Sequence, residues 1–230
     1  MSFSKVMLDR EGRVLTPDDV RKLIADFNNS YIDATKGIIV NSQSLDQEGE
    51  KFIECASLIL SNFGMTRAGT FHGDNTEILQ KCWEAIGTDL LKIHKSVLKS
   101  GLPRDRYIVE IGESKREVLF DKIWLLTKKL LPYTRGATSN GLVGASKILF
   151  SVLPEIVLPV DNAEWQHVFQ TVDLGDVLRV MVADIQEWEA LQGIQLTALD
   201  DTKRLTTLPA VYNVLAMEAR PMANKHGAAR

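Results

Sequence analysis

Along most of the chain, apolar residues return at every third or fourth position, the period of a helix with one buried face. Thr16-Pro17-Asp18-Asp19 reads as a helix start: a capping hydroxyl, a proline at the first position and acids at the positive end of the helix dipole. Val20, Leu23, Ile24 and Phe27 then follow at helical spacing. Asp46 to Phe63 predicts a helix closed by Gly64, with Phe52, Ile53, Ala56, Ile59 and Leu60 as its inner stripe. Met65 to Asp74 predicts a loop, and Asn75 to Leu98 a long helix that stops at Ser100-Gly101 before Pro103. Ser114 to Leu131 predicts an amphipathic helix with Val118, Leu119, Ile123, Leu126 and Leu130 facing inward and Pro132 as its end. Asp173 to Leu191, punctuated by Gly193, and Leu208 to Ala219 complete the helical set. Two short stretches depart from the period: Ile38 to Val40 reads as extended, and Tyr107 to Ile111 as a short strand or extended connector. With no repeat and no linker, the pattern predicts one compact all-α domain over residues 1–220, of about eight to ten helices. That arrangement is compatible with two lobes flanking a groove, and residues 221–230 read as a flexible tail.

Composition narrows this picture little. The 230 residues are 45% hydrophobic and 25% charged, as in ordinary soluble globular proteins. No apolar run approaches a membrane span, and Met1 to Arg10 lacks a signal-peptide profile, so a cytoplasmic location and no membrane partner are expected. Cys55 and Cys82 are too few for a disulfide framework and have no metal-ligand spacing, so they read as reduced core residues; no metal site is expected. A helical chain of this size needs no partner to complete its core, which makes a monomer the default. Charge is more informative. The net charge is −3, yet between Glu113 and Lys147 seven bases (Lys115, Arg116, Lys122, Lys128, Lys129, Arg135, Lys147) stand against three acids. A basic stretch of this kind suits a phosphate-backbone footprint, although it could equally be a solvated helix face.

That stretch runs into the segment with the most chemistry, Asn140 to Phe169. Gly141 and Gly144 bracket Leu142 and Val143 in what reads as a tight turn, where glycine most easily supplies positive φ. Ala145 to Leu153 follows as a short helix with Lys147 in its first turn. Pro154 ends it, Pro159 stiffens the next loop, and Asp161 falls where another helix begins.

In this order and with these residues (Gly141, Gly144, Lys147, Pro159, Val160, Asp161) the segment resembles the helix-hairpin-helix DNA glycosylases. The hairpin unit spans about 132–170. Two features depart from that family's pattern. The G-L-V-G turn is one residue longer than usual, and Lys147 and Asp161 are fourteen residues apart, about one helical turn closer. The resemblance implies an enzyme that hydrolyses the N-glycosidic bond of a damaged or modified base in DNA, including hypermodified phage bases, in repair or defence. It implies DNA as partner, no organic cofactor and a hairpin whose carbonyls can hold a monovalent cation.

The resemblance implies a role for Asp161 as the carboxylate that stabilises an oxocarbenium-like sugar and activates water. The residues alone also allow a plain helix cap there. Lys147 can act as an amine nucleophile, as a supporting cation, or as a solvated lysine. The amides of Gly141, Leu142, Val143, Gly144, Ala145 and Ser146 are the candidate DNA-backbone contacts. Asn41 and His72 are the candidates for a base pocket, chosen because they offer amide and imidazole groups outside the predicted helices. His94 and His167 lie in predicted helices without ligand partners at metal spacing. No P-loop, G-x-G-x-x-G, H-E-x-x-H, G-x-S-x-G or C-x-x-C occurs, which argues against nucleotide-hydrolysing, redox and zinc chemistry. Two further readings stay open: a non-catalytic hairpin DNA-binding module, and a helical protein-interaction domain.

Overall fold

Thr16 caps helix α1 (Pro17–Asp26) through a reciprocal box in which its hydroxyl accepts from the Asp19 amide and the Asp19 carboxylate accepts from the Thr16 amide. The computed structural model describes residues 3–27, 35, 38, 42, 44–136, 140–201, 205 and 207–221. Among these, all regular elements are helical; Leu8 and Val14 form an isolated antiparallel bridge, and Gly136 is also in a bridge. The chain is all-α. No helix of the described residues is long and apolar enough to cross a membrane.

Helix α2 (Glu50–Asn62) begins later than the periodicity predicts. Asp46 is not its first residue; its carboxylate accepts from the amides of Gly49, Glu50 (3.0 Å) and Lys51 (2.8 Å) and so caps the turn from outside. Gly49 itself has φ +87°, and a Cβ there would lie 2.5 Å from the Trp83 indole, so the helix entry is moulded against α3 (Thr76–Lys99). Between them, the predicted loop contains two 3₁₀ turns, Met65–Arg67 and Gly69–Phe71, and buries Phe71.

Tyr107–Glu110 is a one-turn helix, α4, and not the expected strand or extended connector. Its β-branched and aromatic residues suit either state, and here the helical turn buries Tyr107 and Ile108. Helix α5 (Glu113–Thr134) runs through Pro132 rather than ending before it. The proline sits in the last turn, where the Thr134 hydroxyl bonds both the Leu130 carbonyl (3.2 Å) and the Gly141 carbonyl (2.8 Å) and ties the helix end to the next element. The inner face of α5 is Leu119, Phe120, Ile123, Leu126 and Leu130; Val118, expected among them, is 52% exposed.

Helix α6 (Leu142–Val152) starts directly after Gly141 and is buried at every position but Val143. It packs between α2 and α5. The short π-helical α7 (Glu164–Phe169) ends at Gln170, a non-glycine residue with φ +54°. Helix α8 (Leu174–Gln192) is capped by Asp173 and closed by left-handed Gly193, and α9 (Leu208–Glu218) is capped by Thr207. Buried apolar residues from Val6 to Ala216 form one contiguous cluster, with α5 packed on α3, α6 and α8. Of the predicted tail only Pro221 is described, and 222–230 lie outside the described residues.

Candidate active site at the start of α7

The hairpin has one left-handed glycine, not two. Gly141 has φ +87°, and a Cβ on it would meet the Thr134 hydroxyl at 2.7 Å. Gly144 is already helical, and its role is close approach: a Cβ there would lie 2.8 Å from the Phe71 ring. The Asn140 side chain accepts from the Leu142 amide (3.1 Å), and the Ala145 amide bonds the Gly141 carbonyl (3.0 Å). Gly141, Leu142, Gly144, Ala145 and Ser146 are buried and Val143 is partly exposed. Ser146, expected at a DNA backbone, turns inward. Its hydroxyl donates toward the carbonyls of Val143 (3.0 Å) and Val160 (3.2 Å) and accepts from the Val160 amide (3.2 Å). This bond pins the Pro159-Val160 segment to α6 and sets the position of Asp161.

Lys147 lies in the second turn of α6, one turn later than expected because the helix starts earlier. Its side chain is 5% exposed, which removes the solvated-lysine reading. The ammonium stands 4.6 Å above the Phe63 ring and 2.6 Å from Asp161 Oδ1. The two residues singled out in the sequence therefore meet in the fold.

Asp161 does supply the backbone cap of the helical turn (162–163) that runs into α7, its carbonyl accepting from the amides of Glu164 and Trp165 at 3.1 Å each. Its side chain does something else: Oδ1 faces Lys147 and Oδ2 faces Arg220 at 3.1 Å. Burial alone would raise this carboxyl; the charge and hydrogen bond of Lys147, then those of Arg220, overcome it and hold Asp161 below the ordinary carboxylate range.

Two members of the cluster were not among the sequence candidates. Glu164 is fully buried; its Oε2 accepts from the Asp161 amide (2.6 Å) and from Arg220 Nη2 (3.0 Å). Burial pushes its carboxyl up to about 7, more than Arg220 brings it down. Asp161-x-x-Glu164 is a capping-box spacing, so this partner was readable. Arg220, with 7% of its side chain exposed, comes from just beyond α9 and carried no local signal except being a lone base before Pro221. Glu164 Oε1, Trp165 Nε1 and Arg220 Nε are buried without a hydrogen-bond partner among the described residues, which marks a polar interior beside Asp161.

Other expected residues are apart from this cluster. His72 is exposed after the Gly69–Phe71 turn, and no hydrogen bond or ion pair joins it to Lys147 or Asp161. Asn41 lies outside the described residues. The basic stretch is reduced as a footprint. Arg116 is buried against the Val109 and Ile111 carbonyls, Lys129 pairs with Asp89 at 2.9 Å, and Lys147 is internal, leaving Lys115, Lys122, Lys128 and Arg135 exposed. A second buried polar group joins Arg104 to Glu155 (2.9 Å) and Ser42 (3.2 Å), with His94 bonded to the Ser42 carbonyl at 2.5 Å. Burial raises the Cys55 and Cys82 thiols to about 11 and about 12, so both stay protonated in the core. Among the described residues, no group of three or more His, Cys, Asp or Glu side chains is placed to hold a metal ion.

Compared with protein-family models, with curated proteins and with solved structures, the chain finds no match in any of the three.

Proposed function

We propose that this chain hydrolyses the N-glycosidic bond of a damaged or modified DNA base, with Asp161 as the reacting carboxylate. One observation carries the reading. Within the cluster, Lys147, Arg220 and Glu164 have 5%, 7% and 0% of their side chains exposed, whereas Asp161 has 32% and is held ionised by the two buried cations. An anion fixed on the one partly exposed side chain of the four is suited to charge that develops at the protein surface.

As the C1′–N bond breaks, its electron pair leaves with the base and positive charge grows over C1′ and the ring oxygen. The Asp161 carboxylate opposes that charge, orients a water toward C1′ and accepts the proton the water loses, while solvent protonates the departing base. Lys147, paired at 2.6 Å, is best suited to a supporting role: it fixes and balances Asp161. An ammonium must lose its proton before it can attack the sugar, and here that proton faces the carboxylate. The target nucleotide must leave its stack to reach the site, which a damaged or mismatched base does most easily.

The test uses purified protein on plasmid DNA and on phage DNA with modified bases, counting abasic sites by aldehyde labelling. Wild type should release base, and Asp161→Asn should lower the rate roughly 10²–10⁴-fold while gel-shift affinity persists. Charge reversal at exposed Lys128 should weaken binding and flatten its salt dependence. Binding by both proteins with no release from either would favour the non-catalytic module, and no binding would favour the interaction domain.

A further inference from the structure

A cavity of about 480 Å³ lies along the seam between α3 and α5, with Tyr107 and Ile111 also in its lining. It does not include Lys147, Asp161 or Glu164, and the inference drawn from it is independent of the glycosylase reading. Its floor is aliphatic, with Ile93 from α3 and Leu119 and Leu126 from α5. Its α5 rim carries Val118 and Leu125, 52% and 47% exposed, one heptad apart on the same face. Lys115 and Lys122 repeat at the same interval, each three residues before one of these apolar positions.

The charges on α5 are sorted. Two of its three acids, Glu117 and Asp121, turn to the other side, where Arg179 of α8 binds them at 2.8 Å and 2.6 Å; the third, Glu113, stands in the first turn and is not among the residues lining the cavity. The single acid lining the cavity, Asp89, is already shared by Lys92 (3.3 Å) and Lys129 (2.9 Å). Lys115 and Lys122 have no acid within ion-pair distance among the described residues. On a chain with net charge −3, this leaves an exposed apolar stripe flanked by uncompensated lysines.

We propose that the α3–α5 groove docks an amphipathic helix of a partner protein, with acidic residues bordering its apolar stripe. Two helical walls leave a groove of the right form for a third helix, whose leucine-sized anchors would meet Val118 and Leu125 while its carboxylates meet Lys115 and Lys122. The chemistry of the floor disfavours nucleic acid, which gains from aromatic planes: the aromatic residue of this lining, Tyr107, is only 3% exposed. The chain's own last residues, with Lys225, His226 and Arg230, carry the wrong charge to occupy it.

The probe is a synthetic amphipathic helix with leucines at i, i+3, i+4 and i+7 and glutamates on both flanks, paired with a copy carrying lysines in place of the glutamates. Fluorescence anisotropy with the full chain should show binding of the acidic peptide and not of the basic one. Val118→Glu and Leu125→Glu should each weaken it at least about tenfold, without moving the melting temperature, because both positions are exposed. Lys115→Glu with Lys122→Glu should exchange the preference in favour of the basic peptide. The proposal is overturned if the acidic peptide does not bind, if both peptides bind alike, or if the groove variants leave binding unchanged. It is equally overturned if these variants abolish affinity for a short DNA duplex, or if wild type is a dimer in sedimentation that Leu125→Glu dissociates.

Discussion

At Glu164, a carboxyl with no solvent access is hydrogen-bonded to an amide and a guanidinium while burial holds its proton to about 7. Unfolded, the same group titrates near 4.5. Between those values the folded chain keeps a proton that the unfolded chain has lost, so stability should fall as pH rises from about 4.5 to about 7 and then level off. The span corresponds to about 3 kcal/mol. Asp161 works in the opposite sense: its contribution is present above the ordinary carboxylate range and is lost as pH falls through its lowered value. Urea unfolding across pH 5 to 8 should therefore show a decline that Glu164→Gln flattens; an unchanged slope in the variant would assign the decline to other groups. Arg220 is the shared cation of both carboxylates. Arg220→Ala should cost about 3–5 kcal/mol in the same assay, because it leaves buried negative charge without a partner, and Arg220→Lys should recover part of the loss. Lys147 and Asp161 were legible from a local motif, and Glu164 from a capping spacing. Arg220 was not, because its partner Asp161 is 59 residues away and no periodicity along the chain encodes that approach.

Among the elements, those governed by neighbouring residues were the most legible. Thr16 caps a helix as its sequence context indicates, since donor and acceptor lie within a turn of each other; Asp173, read as the first helical residue, and Thr207 prove to be caps of the same local kind. The misread elements are those settled by distant packing. Tyr107–Glu110 closes into a helical turn because it buries two large side chains, and α5 passes through Pro132 because Thr134 reaches across to Gly141. Gly144 looked like a turn glycine, yet its contact is with Phe71, far away in the chain. The joint between α6 and the Asp161 segment depends on one hydroxyl. Ser146→Ala would leave the buried Val160 amide and carbonyl without that partner, so we expect a loss of about 1–3 kcal/mol. Base release should fall with it as Asp161 loses its fixed position. Full activity in this variant, measured at a temperature where it remains folded, would remove Ser146 from the positioning machinery.

Across the whole molecule, an all-α architecture could be inferred from the 3.6-residue period alone, and so could the membership of most inner stripes. What the period could not supply was the way two ends of the chain converge on one place. Residues from the middle of the chain, Lys147, Asp161 and Glu164, are completed by Arg220 near its end, while Ser4 and Tyr212 hold Asp184 and fasten the other end to α8 and α9. The result is a buried set of opposed charges in which Asp161 is the partly exposed side chain. The most direct measurement is mass spectrometry of small molecules freed from modified phage DNA by wild type and by Asp161→Asn, with abasic sites counted in the same samples. We predict a free base appearing in proportion to new abasic sites with wild type and neither with the variant. Equal release from the two proteins, or abasic sites without a matching base, would contradict the assignment of Asp161 as the reacting carboxylate.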